Sequence, residues 1–195
     1  MQYASRGWRL VPESGLLVAS AYPDTVVQIY QVTNNSYSRL YSILLASSSS
    51  SSSDHAISQL AFDTTDITGL YVNSTRPINV FAHVTCARVT SPQTNFCGYL
   101  VEAIPAVSEL GLVHVVPPLV RSSPAAGYVV RVVAAYADTN ITWRSYSPVI
   151  PATGFSVRSA GQFQQLDVAA NLQPLLVVCS KPCLVMQYNK GMDDN

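Results

Sequence analysis

The chain has 195 residues and no formal net charge at pH 7; 48% of its residues are hydrophobic and only 11% are charged. This length allows one large domain or two of about 100 residues, and the hydrophobic content excludes a largely disordered protein. The balanced charge argues against nucleic acid as a partner, and no apolar run reaches the ~18 residues that insert into a membrane. Ser, Thr, Asn and Gln supply most of the polarity, which is typical of extracellular surfaces.

The N-terminal segment shows no targeting signal. Residues 1–8 (MQYASRGW) lack the apolar stretch of a signal peptide. Because the sequence begins just before a strand-like segment, we interpret it as part of a longer protein or as the product of an incomplete gene model. The predicted localisation, which is extracellular, therefore depends on features further along the chain.

The predicted elements that follow are short strands. Runs rich in β-branched and aromatic residues are typical of strands, and they occur at 25–30, 128–134, 140–143, 162–168, 175–178 and 184–188. Turn signals recur about every 8–12 residues, which is the spacing of an all-β sandwich or barrel. The segment 100–110 has a helix-like pattern, but Pro105 interrupts it. The sequence therefore predicts an all-β fold.

Two sequence landmarks occur twice in the same order. AYPDTVV at 21–27 returns as AYADTNI 114 positions later, and STRPINVF at 74–81 returns as CSKPCLVM 105 positions later. The two offsets differ by roughly the length of the serine run 47–53, which we predict to be a solvated loop. Such duplication is typical of binding or scaffolding proteins rather than of enzymes.

This repeat predicts two tandem, related, antiparallel sandwich-like units. The first spans residues 1–97 and carries the poly-Ser loop 47–53, and the second spans 98–195. A propeller-like array of short-stranded blades is the alternative architecture.

Four cysteines are predicted to form two disulfides. Cys86 and Cys97 bracket a polar loop, and Cys179 and Cys183 flank a Ser-Lys-Pro turn. Buried free thiols are an alternative, as is a zinc site, although these spacings do not match zinc knuckles. Four cysteines allow three pairings, so the connectivity stays open.

Three sequons predict N-glycosylation, at Asn34, Asn73 and Asn140. Together with the cysteines, the low lysine content and the low charge, they favour the secretory pathway. Asn140 falls within a strand-like segment.

No catalytic, cofactor or metal site is predicted. The sequence contains no nucleophile elbow, P-loop, zinc-protease or dinucleotide-binding motif. His55, His83 and His114 are scattered along the chain and do not have ligand spacing.

The central segment resembles the N-terminal domain of the IgG Fc-binding protein family. It contains a cysteine pair, then a stretch similar to hLVEQLPPVSxWG, then stretches similar to VxPLxxR and YRVxAxxDNTxV. The positions that match are Leu100, Val101, Glu102, Ile104, Pro105, Val107, Ser108, Gly111, Pro118, Leu119, Arg121 and 131–134. Leu110 stands where the family has tryptophan.

The resemblance implies a secreted, mucus-associated or cell-surface protein, with immunoglobulin Fc as a partner by resemblance alone. The predicted function is therefore a non-enzymatic extracellular recognition or adhesion module that binds glycoproteins or mucus components. A fragment of a carbohydrate-active extracellular enzyme and a purely structural spacer are the alternatives.

Overall fold

The computed structural model describes residues 13–46, 56–63, 65–87, 98–118, 127–145, 153–168 and 174–190, so the poly-Ser loop lies outside the described residues. The described residues form fourteen strands, one 3₁₀ turn (Val107–Glu109) and no α-helix. The strands are β1 Ser14–Ser20, β2 Thr25–Thr33, β3 Ser36–Leu45, β4 Ala56–Ala61, β5 Tyr71–Ser74, β6 Asn79–Ala87, β7 Gly98–Ile104, β8 Val113–Val116, β9 Tyr128–Ala134, β10 Thr139–Ser145, β11 Thr153–Val157, β12 Phe163–Val168, β13 Leu175–Cys179 and β14 Cys183–Asn189. The predicted all-β class is confirmed.

The strands pair in four antiparallel sheets. Sheet I has the order β4-β1-β6-β7 and sheet II the order β3-β2-β5. Sheet III has the order β12-β9-β14 and sheet IV the order β11-β10-β13-β8. None of these sheets closes into a barrel within the described residues, and the arrangement is sandwich-like, as predicted.

Each pair of sheets encloses its own apolar core. Side chains alternate across a strand, so β-branched residues at every second position form one buried face. In the first sandwich the core joins Val18 of β1, Val27 of β2 and Leu45 of β3. In the second sandwich the equivalent positions are Val132, Ile141 and Val157, within a larger cluster. Burying each of these side chains stabilises the fold by roughly 1.5–3 kcal/mol.

The two sandwiches have the same strand register. Val27 of β2 lies opposite Ser74 of β5, and the matching Ile141 of β10 lies opposite Cys179 of β13. The pairing of β1 with β6 is repeated in the same way by β9 with β14. Both sequence landmarks therefore occupy equivalent places in the two halves.

The first landmark forms the same turn twice. Asp24 and Asp138 both adopt a left-handed backbone, with φ of 54° and 52°, which Asp tolerates better than most residues. The next residue closes each turn: the Thr25 hydroxyl donates to the Tyr22 carbonyl at 2.8 Å, and that of Thr139 donates to the Tyr136 carbonyl at 2.6 Å. Asp and Thr therefore recur in the motif because each turn needs a left-handed residue followed by a hydroxyl donor.

The segment between the repeats contributes one strand to each sandwich. β7 pairs with β6 in sheet I, and β8 pairs with β13 in sheet IV. Gly98–Ile104 is therefore hydrogen-bonded to the first sandwich, although it follows the predicted boundary at residue 97. The division into domains at 97 and 98 stays a prediction.

Candidate functional site

The described cysteines are all in disulfides. Cys179 and Cys183 are bonded across the turn between β13 and β14, with an S–S distance of 2.01 Å and a Cα–Cα distance of 6.4 Å. Cys86 is buried and also disulfide-bonded, and none of the described cysteines is free. Cys97 lies outside the described residues, so its pairing stays a prediction.

The three sequon asparagines lie at the surface. Asn34 and Asn35 form the two-residue turn between β2 and β3, both with positive φ, as a type I′ hairpin turn requires. Asn73 is exposed on β5, and Asn140 is exposed on β10, where its Oδ1 accepts a hydrogen bond from Ser156 at 2.7 Å. Occupancy of these sequons stays a prediction.

The two described histidines, His83 and His114, contact an aromatic ring and a backbone carbonyl group, respectively. His83 is buried and stacks on Tyr99, with ring centroids 6.2 Å apart. His114 Nε2 lies 3.1 Å from the carbonyl oxygen of Gly111. Among the described residues, no three His, Cys, Asp or Glu side chains come together as a metal site, and His55 lies outside the described residues.

Three tyrosines meet on the outer face of sheet II, the side away from the core. We call Tyr30 of β2, Tyr37 of β3 and Tyr71 of β5 the tyrosine cluster. Their ring centroids are 6.3 Å (Tyr30–Tyr37), 6.2 Å (Tyr30–Tyr71) and 5.6 Å (Tyr37–Tyr71) apart. Tyr37 is 52% exposed and Tyr71 is 38% exposed. The Tyr37 ring makes edge-to-face contacts with the other two rings, at interplanar angles of 80° and 76°, while the Tyr30 and Tyr71 rings are tilted by 44°. Edge-to-face contacts stabilise by about 0.5–1.5 kcal/mol per pair beyond area burial, so the cluster presents ordered rings to solvent.

Strand register places the cluster together. Tyr30 lies directly opposite Tyr71, and Tyr37 lies opposite Val32 on the same face as Tyr30. A β-bulge in the pairing of β2 with β3, between Ile29 and Tyr30, precedes this part of the ladder. Because a one-residue slip moves side chains to the other face, the bulge brings Tyr37 to the outer face.

Polar side chains surround the rings. Gln28 and Asn73 lie opposite each other next to the cluster, and Arg39 lies opposite Tyr30. The Tyr30 hydroxyl donates to Gln28 Oε1 at 2.8 Å. Aromatic faces beside amide and guanidinium groups can stack on an apolar ligand surface and hydrogen-bond its rim.

A cleft of about 440 Å³ separates the two sandwiches next to the cluster. One wall contains Val32 and Leu70, and the other contains Phe155 and residues 161–164. Val32 is the cross-strand partner of Tyr37, and Leu70 directly precedes Tyr71. The cleft and the tyrosine cluster are therefore adjacent at Val32 of β2 and at the residue that precedes β5.

Arg131 joins the sandwiches at this cleft. Its Nη1 lies 3.4 Å from Asp66 Oδ2 and donates to the Thr68 hydroxyl at 2.5 Å, both on the loop between β4 and β5. Its Nη2 donates to Gln165 at 2.9 Å, and its guanidinium carbon lies 4.5 Å from the centroid of the Phe163 ring. One side chain thus has four contacts, two of which cross from one sandwich to the other.

Asp66 is held ionised by this arrangement. Burial raises its pKa, but the Thr68 hydroxyl and backbone N–H donate hydrogen bonds to it and the Arg131 charge attracts it. These contacts outweigh burial, so the pKa of Asp66 lies below its usual value.

Two glycines bring the sandwich backbones together. Gly69 and Gly161 both have positive φ, and a Cβ on Gly69 would lie 1.9 Å from the Gly161 carbonyl oxygen. Nearby, Asn35 Nδ2 donates to the Arg158 carbonyl at 3.3 Å, and Asn35 Oδ1 accepts from the Ala160 N–H at 3.4 Å. These contacts give the two sandwiches a defined relative orientation.

The sequence model of one family matches this chain. The family is described as IgGFc binding protein, and the match spans residues 7–195. The chain belongs to this family. The match includes both sandwiches, the tyrosine cluster and the cleft, and it confirms the resemblance found in the central segment. Neither a curated protein nor a solved structure matches the chain.

The cluster and the Arg131 contacts were missed by reasoning from the sequence. Tyr30 and Tyr71 are 41 positions apart in the chain. The one available signal was that tyrosines stand at positions of strands that face away from the core.

The part of the chain that the structure describes has no helix with the length and apolar character of a membrane span.

Proposed function

We propose that the chain is a non-enzymatic extracellular recognition module that binds the sugar chains of glycoproteins or mucus components at the tyrosine cluster. The observation that carries this proposal is the exposed, ordered tyrosine cluster beside the cleft. The apolar face of a sugar ring stacks on an aromatic ring, while Gln28 and Arg39 supply hydrogen-bonding groups for its hydroxyls. The cleft gives room for a chain of sugars to continue past Leu70.

The extracellular location is supported by two findings. The family is named for binding an extracellular immunoglobulin region, and disulfides such as Cys179–Cys183 persist in oxidising compartments. The family name also makes IgG Fc a second candidate ligand for this chain.

The test is binding of the chain, produced in a bacterial periplasm without N-glycans, to a mucin-coated biosensor. We expect Tyr37→Ala to weaken binding at least about tenfold, which corresponds to about 1.4 kcal/mol. The matched control is Tyr136→Ala, because Tyr136 is 46% exposed on the second sandwich and lies outside the cluster.

The outcomes separate the alternatives. Equal binding by both variants would overturn the proposed site, and no binding by the wild type would favour a structural spacer. An IgG Fc surface on the same sensor tests the second candidate. Hydrolysis of a glycan panel by the wild-type chain would instead favour the enzyme fragment.

A further inference from the structure

We propose that an N-linked glycan on Asn73 packs against the tyrosine cluster and controls access to it. The packing depends only on the structure of sheet II, whereas the control of access depends on the function proposed above. The glycan is thus a covalent occupant of the same aromatic surface that the external ligand uses.

Asn73 lies on the same face of the sheet as the cluster. It follows Tyr71 by two residues in β5, and side chains two apart on a strand point to the same side. Its cross-strand partner is Gln28, one pair along from the pairing of Tyr30 with Tyr71. A sugar attached to Asn73 therefore starts on the exposed face beside these two rings.

The ring of Tyr30 extends towards that starting point. Its hydroxyl donates to Gln28 Oε1 at 2.8 Å, and Gln28 lies directly opposite Asn73. The phenol therefore runs along the sheet from the Tyr71 pair to the Asn73 pair. The first sugar on Asn73 meets an aromatic face without any rearrangement of the backbone.

The other two sequons lack this setting. Asn34 occupies a turn tip, where its backbone is left-handed with φ of 49°. Asn140 has Ser156 as its cross-strand partner on β11, and its Oδ1 accepts the hydrogen bond from that serine. The next pair on the same face as Asn140 is Thr142 with Gly154, which carries no aromatic ring, and Asn34 lies outside the strand ladder. We therefore expect these two glycans to extend into solvent.

The exposed rings also explain why a covering group would stabilise the fold. Tyr37 and Tyr71 present apolar carbon to water, and removing such area from water is favourable. A glycan that stacks on them gains this contact without the entropy of a second molecule, since it is already tethered.

The experiment uses the full chain secreted from eukaryotic cells, with occupancy measured by mass spectrometry. We expect Asn73 to be occupied and Asn73→Gln to lower Tm by about 2–4 °C, which is the shift from about 1 kcal/mol in a chain of this size. Trimming the glycan to its first sugar should keep the higher Tm. Ser36→Ala, which removes the Asn34 sequon, is the matched control and should change Tm by less than about 1 °C.

A double-mutant cycle with Tyr30→Ala, which removes the ring that the first sugar meets, isolates the packing. We expect Asn73→Gln to have no further effect on Tm in the Tyr30→Ala background. An unoccupied Asn73, or an equal fall in Tm in both backgrounds, would overturn the packing.

Access is measured separately on the mucin biosensor. We expect the secreted Asn73→Gln chain to bind at least about tenfold more tightly than the glycosylated wild type, and equal binding would overturn the control of access. If the chain without glycans binds no mucin, the proposed function fails, while the Tm cycle still decides the packing.

Discussion

Arg131 is expected to contribute more to stability than an exposed arginine because it joins the two sandwiches. Replacing it by Met keeps most of the apolar stem but removes the contacts with Asp66, Thr68, Gln165 and Phe163. Hydrogen bonds to charged groups contribute about 1.5–3 kcal/mol each, and an exposed cation–π contact contributes about 0.5–1 kcal/mol. Because these contacts share one side chain and water compensates part of the loss, we expect Arg131→Met to cost about 2–3 kcal/mol.

The ion pair itself accounts for only part of this cost. The side chain of Arg131 is 23% exposed and that of Asp66 is 55% exposed. Solvent screening therefore reduces the energy of the ion pair to roughly 0.2–1 kcal/mol, as in surface pairs. The Thr68 hydroxyl, which donates to Asp66 and accepts from Arg131, adds to it. We therefore expect a coupling energy of about 1 kcal/mol between Arg131→Met and Asp66→Asn.

The assay is urea unfolding of the two single variants, the double variant and the wild type. Arg144→Met is the control, because Arg144 lies exposed on β10 of the same sandwich and should change stability by no more than about 0.5 kcal/mol. A coupling energy near zero, or equal losses for Arg131→Met and Arg144→Met, would refute the reasoning.

The pH dependence has a definite sign. The pKa of Asp66 is lowered in the folded state, so its contribution is fully present above the unfolded pKa of about 3.9 and is lost as pH falls through the folded pKa. The difference in stability between wild type and Arg131→Met should therefore be constant from about pH 5 to 7 and shrink below about pH 4. A difference that grows on acidification would contradict this assignment.

Three further variants test the fold. Gly161→Ala should cost about 2–4 kcal/mol, because φ is +76° and the new Cβ would lie 2.5 Å from the Gly69 carbonyl oxygen; urea unfolding checks this, and a neutral result would contradict the close approach. The double variant Cys179→Ala, Cys183→Ala should lose about 2 kcal/mol, since the bond closes a short loop, and a reductant should destabilise it less than the wild type, because only the disulfide of Cys86 remains. Ile141→Ala should cost about 2–5 kcal/mol, because this side chain is fully buried in the second core; a loss below about 1 kcal/mol would argue against the register that buries it.

Local chemistry explains why much of the fold could be predicted from the sequence. The alternation of β-branched residues in segments such as Thr25–Thr33 defines a strand with one apolar face. The two Asp-Thr turns require the same left-handed residue and the same hydroxyl bond in both repeats. Cys179 and Cys183 are close in the chain, so their bond needs only a tight turn. All these features depend on residues that are near neighbours in sequence.

The candidate site depends on pairings between residues that are distant in sequence, which periodicity does not specify. Tyr30 and Tyr71 meet because β2 pairs with β5, and Tyr37 joins them only because a bulge shifts the register by one residue. Without that shift the alternation would point Tyr37 to the opposite face.

Strand periodicity, the repeat and the turn chemistry could be predicted because they follow from the preferences of neighbouring residues. The tyrosine cluster, the cleft and the contact between Arg131 and Asp66 form only when distant parts of the chain pack together. Which strands and loops pack together depends on the burial of the two apolar cores. It also depends on the close contact between the backbones of the two sandwiches, which Gly69 and Gly161 permit because they have no Cβ.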